Sequence, residues 1–298
     1  MLTLFRWFSG LSLGLLHAWG AALGWAAYLL SPTYRRRMAA NARQAGLSAA
    51  QWKPAIASAG RMVMELPFLW MRPPSQPILP RMRFENEALL EAALARGKGV
   101  LLLTPHMGCF EVAAQAIAER FGATSPITVL YRPARKPWMR ELVKTSRERP
   151  QLFAAPATLA GVRLMIRALR RGQMVGLLPD QVPPEGMGVW APFFGRPAYT
   201  MTLAHRLVQQ TGARMLFIWA ERLTAGEGYL LRVSPLTEPM PEQASDDVNG
   251  SAWQAACAAS INREMERLIR QCPGQYLWGY HRFKQPRSSA VDAPGAAA

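Results

Sequence analysis

The chain offers one compact set of residues suited to proton transfer: His106 and Glu111, within Thr104-Pro105-His106-Met107-Gly108-Cys109-Phe110-Glu111. An imidazole titrates near neutral pH and accepts a proton from a hydroxyl, and a carboxylate fixes its tautomer. Two other short segments carry polar groups next to apolar runs: Tyr131-Arg132-Pro133 and Pro179-Asp180-Gln181. A guanidinium there stabilises an oxyanion or holds a phosphate. Base, orienter and cation together suggest acyl transfer between two bound substrates with no covalent enzyme intermediate. His106 and Glu111 are thus the candidate catalytic pair, and Arg132, Asp180 and Gln181 are polar groups that converge on the same crevice if their strands are neighbours. Five residues on an ideal helix stand ~140° apart, so the pair can meet only if His106 lies in the turn before the helix that carries Glu111.

Other chemistries have less support. There is no Gly-x-Ser-x-Gly elbow and no phosphate-binding glycine loop. The four histidines, His17, His106, His205 and His281, are far apart in sequence and none has helical ligand spacing, so metal binding has little support, and no nucleotide cofactor is indicated. Cys109, Cys257 and Cys272 are too few for a disulfide framework, which fits reduced thiols in a cytoplasmic setting. Cys109 reads as an ordinary buried thiol.

The elements that must position these residues alternate. Gly99 to Leu103 is a buried strand leading to His106, and Val112 to Phe121 is the helix after it. Ile127 to Tyr131 is a strand that ends at Arg132. Pro137 to Arg147 and Thr158 to Arg171 read as helices; in the second, Val162, Met165, Ile166 and Leu169 share a stripe while Arg163, Arg167, Arg170 and Arg171 face water. Met174 to Leu178 is a strand ending at Asp180. A loop spans Val189 to Phe194, Thr202 to Thr211 is helical, Arg214 to Arg222 and Tyr229 to Val233 are strands, and Trp253 to Cys272 is a long helix. This order predicts an α/β fold with a mixed, largely parallel sheet flanked by helices. Polar residues at the carboxyl ends of its strands would then line one crevice.

Before the sheet, Trp7 to Leu30 is a 24-residue apolar run followed by Arg35-Arg36-Arg37. It suits a membrane-spanning helix with the rest of the chain on the cytoplasmic side. Its small residues also allow a helix lying in the membrane plane or docked on the protein; a cleaved signal fits less well. Ser48 to Arg72 reads as one helix with Trp52, Ile56, Val63, Leu66 and Trp70 on its apolar side. Glu85 to Arg96 is a short helix. The resulting organisation is a membrane helix over 1–31, a helical membrane-proximal region over 32–80, an α/β domain over 81–285 and a disordered tail over 286–298. The net charge of +16 calls for an anionic partner. No nucleic-acid module is readable, and the apolar N-terminus points to a membrane surface instead.

Taken together, the motifs bring a resemblance. His106-x4-Glu111 is similar to the His-x4-Asp/Glu motif of glycerolipid acyltransferases. With Tyr131-Arg132-Pro133, Pro179-Asp180-Gln181, Pro192-Phe193-Phe194-Gly195 and the segment Tyr276 to Lys284, it resembles the late lauroyl or myristoyl acyltransferases of bacterial lipid A biosynthesis. That resemblance covers about residues 5 to 285. It implies transfer of an acyl chain from acyl carrier protein to the hydroxyl of a 3-hydroxyacyl chain on a lipid A precursor. It further implies work at the cytoplasmic face of the inner membrane, among its lipids, without metal or organic cofactor, with His106 as base, Glu111 as orienter, Arg132 stabilising charge or binding substrate, and Asp180 and Gln181 as structural or substrate-binding residues near the site. The centre of the motif departs from the family, with Met107-Gly108-Cys109-Phe110 where Asn-Trp more often precedes the acid. An acyltransferase for another glycolipid or aminolipid, and a silent basic membrane scaffold, are the alternatives.

Overall fold

The computed structural model describes residues 2–73, 75–131, 149–243, 247 and 250–287. Arg132, the expected helix from Pro137 to Arg147 and residues 288–298 of the expected tail lie outside the described residues.

The apolar N-terminal run is two helices rather than one: α1 (Leu2–Ser9) and α2 (Leu13–Leu30). The break follows from Ser12, whose side chain accepts the Leu15 N–H at 3.3 Å and starts α2. Eighteen residues of helix measure about 27 Å, close to the thickness of a hydrocarbon core. Among the described residues α2 is the one helix with the length and composition to cross a membrane. Then come α3 (Pro32–Gln44), α4 (Ala49–Trp52) and α5 (Pro54–Met71). The single helix expected from Ser48 to Arg72 is split at Lys53-Pro54, because proline starts a helix well but cannot continue one. Its buried side is also rotated from the expected stripe. Ile56, Ser58, Gly60, Glu65 and Leu69 are buried, whereas Val63 is exposed. The small residues face α2. A Cβ on Gly20, Gly24 or Gly60 would overlap the backbone of the opposite helix, so the two helices touch backbone to backbone.

The α/β portion runs β1 (Met82–Glu85), α6 (Glu87–Ala95), β2 (Val100–Leu103), α7 (Phe110–Phe121), β3 (Ile127–Tyr131), β4 (Leu152–Pro156), α8 (Leu159–Arg170), β5 (Met174–Leu177), β6 (Gly188–Phe193), β7 (Arg196–Met201), α9 (Leu203–Thr211), β8 (Arg214–Arg222), β9 (Tyr229–Pro235) and α10 (Ser251–Gln271). Seven strands form one sheet in the order β1-β9-β8-β2-β5-β3-β4. Every neighbouring pair is parallel except β8 with β9. The sheet is therefore mixed and largely parallel, as the alternating elements predict. Val100 and Leu102 pack into the core beneath α6 and α7, while Leu101 and Leu103 pack into the core under α8, α9 and α10. Burial on both faces is why β2 is apolar throughout.

Three differences from the sequence reading have local causes. β1 alternates half-buried and exposed residues at the sheet edge, so it lacks an apolar run. β4, at the opposite edge, is also short, with five residues. The expected loop from Val189 to Phe194 belongs to a two-stranded antiparallel hairpin, β6 with β7, turned by Phe194-Gly195. Phe194 has a positive φ there, and its peptide is held by Glu266 and by Gln44.

Candidate active site

β2 and β5 are parallel neighbours with Leu103 opposite Leu177. His106 and Asp180 each lie three residues beyond that register pair, so adjacent strand ends deliver them to the same place. The His106 N–H donates to Asp180 Oδ2 at 2.9 Å, and Nδ1 lies 2.6 Å from Asp180 Oδ1. Asp180 is buried and His106 about 16 % exposed at its side chain. Burial by itself would push the Asp180 carboxyl up. The charge and both hydrogen bonds of His106, with Arg282 nearby, hold it below its ordinary value. An ionised carboxylate only accepts, so Nδ1 is the donor in this contact.

Nε2 faces the side-chain nitrogen of Gln181 at 2.9 Å. The amide therefore covers the ring nitrogen that Asp180 does not hold. Phe110, one residue into α7, sets its ring edge-on to the imidazole at a centroid separation of 4.9 Å.

The loop carrying His106 is held on several sides. Thr104 N donates to Leu177 O, Leu277 N to His106 O, Gly108 N to Gln275 O, and Cys109 N to Ala220 O. Gly108 has a φ of 59°, and a Cβ there would collide with the Ala220 carbonyl. The loop can thus turn into α7 only with glycine at this position. Cys109 is buried and its thiol pushed well up by that burial and by Glu65, which leaves it without a nucleophile's character.

Of the residues singled out from sequence, the structure brings together His106, Asp180 and Gln181. It gives the contact with Nδ1 to Asp180, where the sequence reading assigns orientation to Glu111. Glu111 sits in the first turn of α7, and its Oε2 receives the indole N–H of Trp70 at 3.4 Å. The five-residue spacing contains the Gly108 turn, whereas strand register places Asp180 directly. Tyr131 ends β3 beside β5, one residue before Arg132.

The sequence reading missed residues that support the site. Tyr276 pairs with Met107 across an isolated bridge, and its phenol stands beside Asp180. The Tyr280 hydroxyl accepts the N–H of Val182 at 3.0 Å, and Arg282 is buried against Tyr199, Thr200 and Asn262. Their segment was noticed as a motif, but nothing in its spacing gave these contacts. Among the described residues, no group of histidine, cysteine and carboxylate side chains is arranged to hold a metal ion.

A family model described as bacterial lipid A biosynthesis acyltransferase matches residues 52–285. The lipid A biosynthesis palmitoleoyltransferase of Escherichia coli K12 is 29 % identical over 230 residues, which cover 76 % of this chain and 69 % of that one. The lauroyltransferase of the same organism is 29 % identical over 191 residues, 64 % of this chain and 58 % of that one. A lipid A biosynthesis acyltransferase of Haemophilus influenzae is 26 % identical over 191 residues, 63 % of this chain and 55 % of that one.

Proposed function

The chain belongs to the bacterial lipid A biosynthesis acyltransferases and is an acyltransferase; from that premise we propose that it moves a fatty acyl chain from acyl carrier protein to the hydroxyl of a 3-hydroxyacyl chain on a lipid A precursor. The observation that carries this reading is the imidazole of His106, fixed by Asp180 at Nδ1 and covered at Nε2 by an amide that a hydroxyl can replace.

In the proposed reaction the acceptor hydroxyl displaces the Gln181 amide and gives its proton to Nε2. Its oxygen attacks the thioester carbonyl, and the tetrahedral intermediate collapses to an ester and a thiolate. The thiolate takes the proton back from the imidazolium. Asp180 stabilises the imidazolium at Nδ1 in the interval. Gln181, once displaced, is a hydrogen-bond donor to the acceptor. Glu111 enters as a second carboxylate at the same loop–helix junction, and Arg132 as a cation for the oxyanion or an acceptor phosphate.

The proposed setting is the cytoplasmic face of the inner membrane. Its support is the outer side of α2, where Leu15, Trp19, Leu23, Trp25, Leu29 and Leu30 are exposed. A contiguous apolar surface of this kind fits lipid better than water. The basic residues of the chain match an acidic carrier and a phosphorylated acceptor.

Lipid A from cells with and without this protein, compared by mass spectrometry, tests the reading. A single acyl chain should be missing without it. Unchanged lipid A, together with no transfer from acyl carrier protein to lipid A precursors by the purified enzyme, would reject the acceptor.

A further inference from the structure

A second polar cluster lies under the His106 loop, and the proposed chemistry does not use it. Glu65 on α5 is completely buried. Arg222, the last residue of β8, grips its carboxylate with two bonds, Nε to Oε1 at 2.7 Å and Nη2 to Oε2 at 2.6 Å. His17 from α2 meets Oε1 at 2.7 Å, and the Tyr229 hydroxyl donates to the same oxygen at 3.1 Å. Arg222 Nη1 donates to Ser58 Oγ at 2.9 Å. The other Nη2 hydrogen reaches the carbonyl of Gly108, two residues after His106, at 3.1 Å. The backbone of Arg222 is clasped by the Gln275 amide on both its N–H and its C=O. Gln275 in turn accepts the Gly108 N–H on its own carbonyl. The Gly108 residue is therefore held at its nitrogen by Gln275 and at its oxygen by Arg222.

Burial pushes the Glu65 carboxyl up, but Arg222 and His17 outweigh it and bring the group to about 2. The pair is thus ionised in a site that gives ions nothing from solvent. A buried ion pair is a poor source of stability, since apolar residues of similar volume do as well or better. What apolar residues cannot do is donate to the Gly108 carbonyl. We infer that Glu65 and Arg222 are positioning residues for the acyl transfer: Glu65 aims the Arg222 guanidinium, and Arg222 fixes the Gly108 carbonyl and with it the His106 imidazole between Asp180 and Gln181.

This inference rests on His106 being the base. Its test uses the full-length enzyme in lipid or detergent, as Glu65→Gln, Arg222→Lys and the double variant Glu65→Met/Arg222→Met. The double variant is included because apolar replacement preserves folding where single changes strand a buried charge. Folded variants should lose about 10- to 100-fold in kcat, the usual effect of disturbing groups that support a reacting residue, with KM for the acceptor little changed. Histidine-selective nitrogen labelling adds a readout that a merely structural role would not move. With four histidines the spectrum is simple. The His106 Nδ1–H signal, far downfield in the wild type because of its short bond to Asp180, should move upfield in the variants. Wild-type kcat in a folded variant, an unmoved His106 signal, or loss of folding in all three would overturn the inference. A wild-type enzyme that is silent on lipid A precursors refutes the proposed acceptor instead, and the His106 signal still reads the positioning.

Discussion

The molecule contains two histidine–carboxylate contacts of nearly equal length, and they are built for opposite ends. His106 meets Asp180 at 2.6 Å and His17 meets Glu65 at 2.7 Å. Around His17 the carboxylate is saturated: Arg222 and Tyr229 fill its remaining acceptor positions, and the imidazole is itself buried. Around His106 the carboxylate is buried, but the ring is partly exposed and its far nitrogen faces a neutral amide. A third histidine, His205, sharpens the contrast, for it is buried on α9 against the Trp253 ring with neither ring nitrogen hydrogen-bonded among the described residues. What makes a histidine serviceable as a base is a fixed proton on one nitrogen and an accessible lone pair on the other. A short bond to an acid supplies only half of that.

The largest expected effect breaks the comparison at its centre. His106→Ala should lower kcat/KM by about 10³-fold or more while leaving the melting temperature near wild type, whereas His17→Leu should cost on the order of 1–2 kcal/mol of stability by removing a donor from a buried carboxylate. Steady-state kinetics beside thermal unfolding separates the two, and a kinetically intact His106→Ala would end the base assignment. Next in size is the choice of acid. Asp180→Asn should reduce kcat by about 10²-fold or more, and Glu111→Gln by less, because Asp180 holds Nδ1. The reverse order would return the orienting role to Glu111.

The smallest effect concerns His205. Burial, with Arg206 adding to it, lowers its imidazole to about 4, below the unfolded value near 6.5. The unfolded chain then binds the proton first, so this residue's contribution is complete above pH 6.5 and fades as the pH falls toward 4. His205→Leu should flatten the stability profile across that window and raise stability at pH 7 by about 1 kcal/mol, as measured by denaturant unfolding. An unchanged profile would mean that the ring is protonated equally in both states.

The strand ends bearing His106 and Asp180 were legible because apolar runs of strand length end at those residues, and parallel sheets collect polar groups at that edge. The contact of Asp180 with Nδ1 was not, because it depends on Leu103 lying opposite Leu177, a register no local pattern encodes. The arginine side of α8 is exposed as its periodicity predicts, and Met165 and Leu169 are buried on the other side. The buried side of α5 escaped the same reasoning. Its packing against α2 runs through glycine contacts, which carry little hydrophobic signal, and a carboxylate is among its fully buried groups. The partner that explains Glu65 is 157 residues away.

The glycine contacts between α2 and α5 bear on how the enzyme is mounted. Helices that meet backbone to backbone leave no slack between them, and His17 pins the same joint from within. The N-terminal segment is consequently a bracket and not a tether. Any displacement of α2 is passed on to α5, and through Glu65 and Arg222 to the loop that carries His106. The distance from α2 to the His106 loop is thus a property of joint geometry instead of linker length.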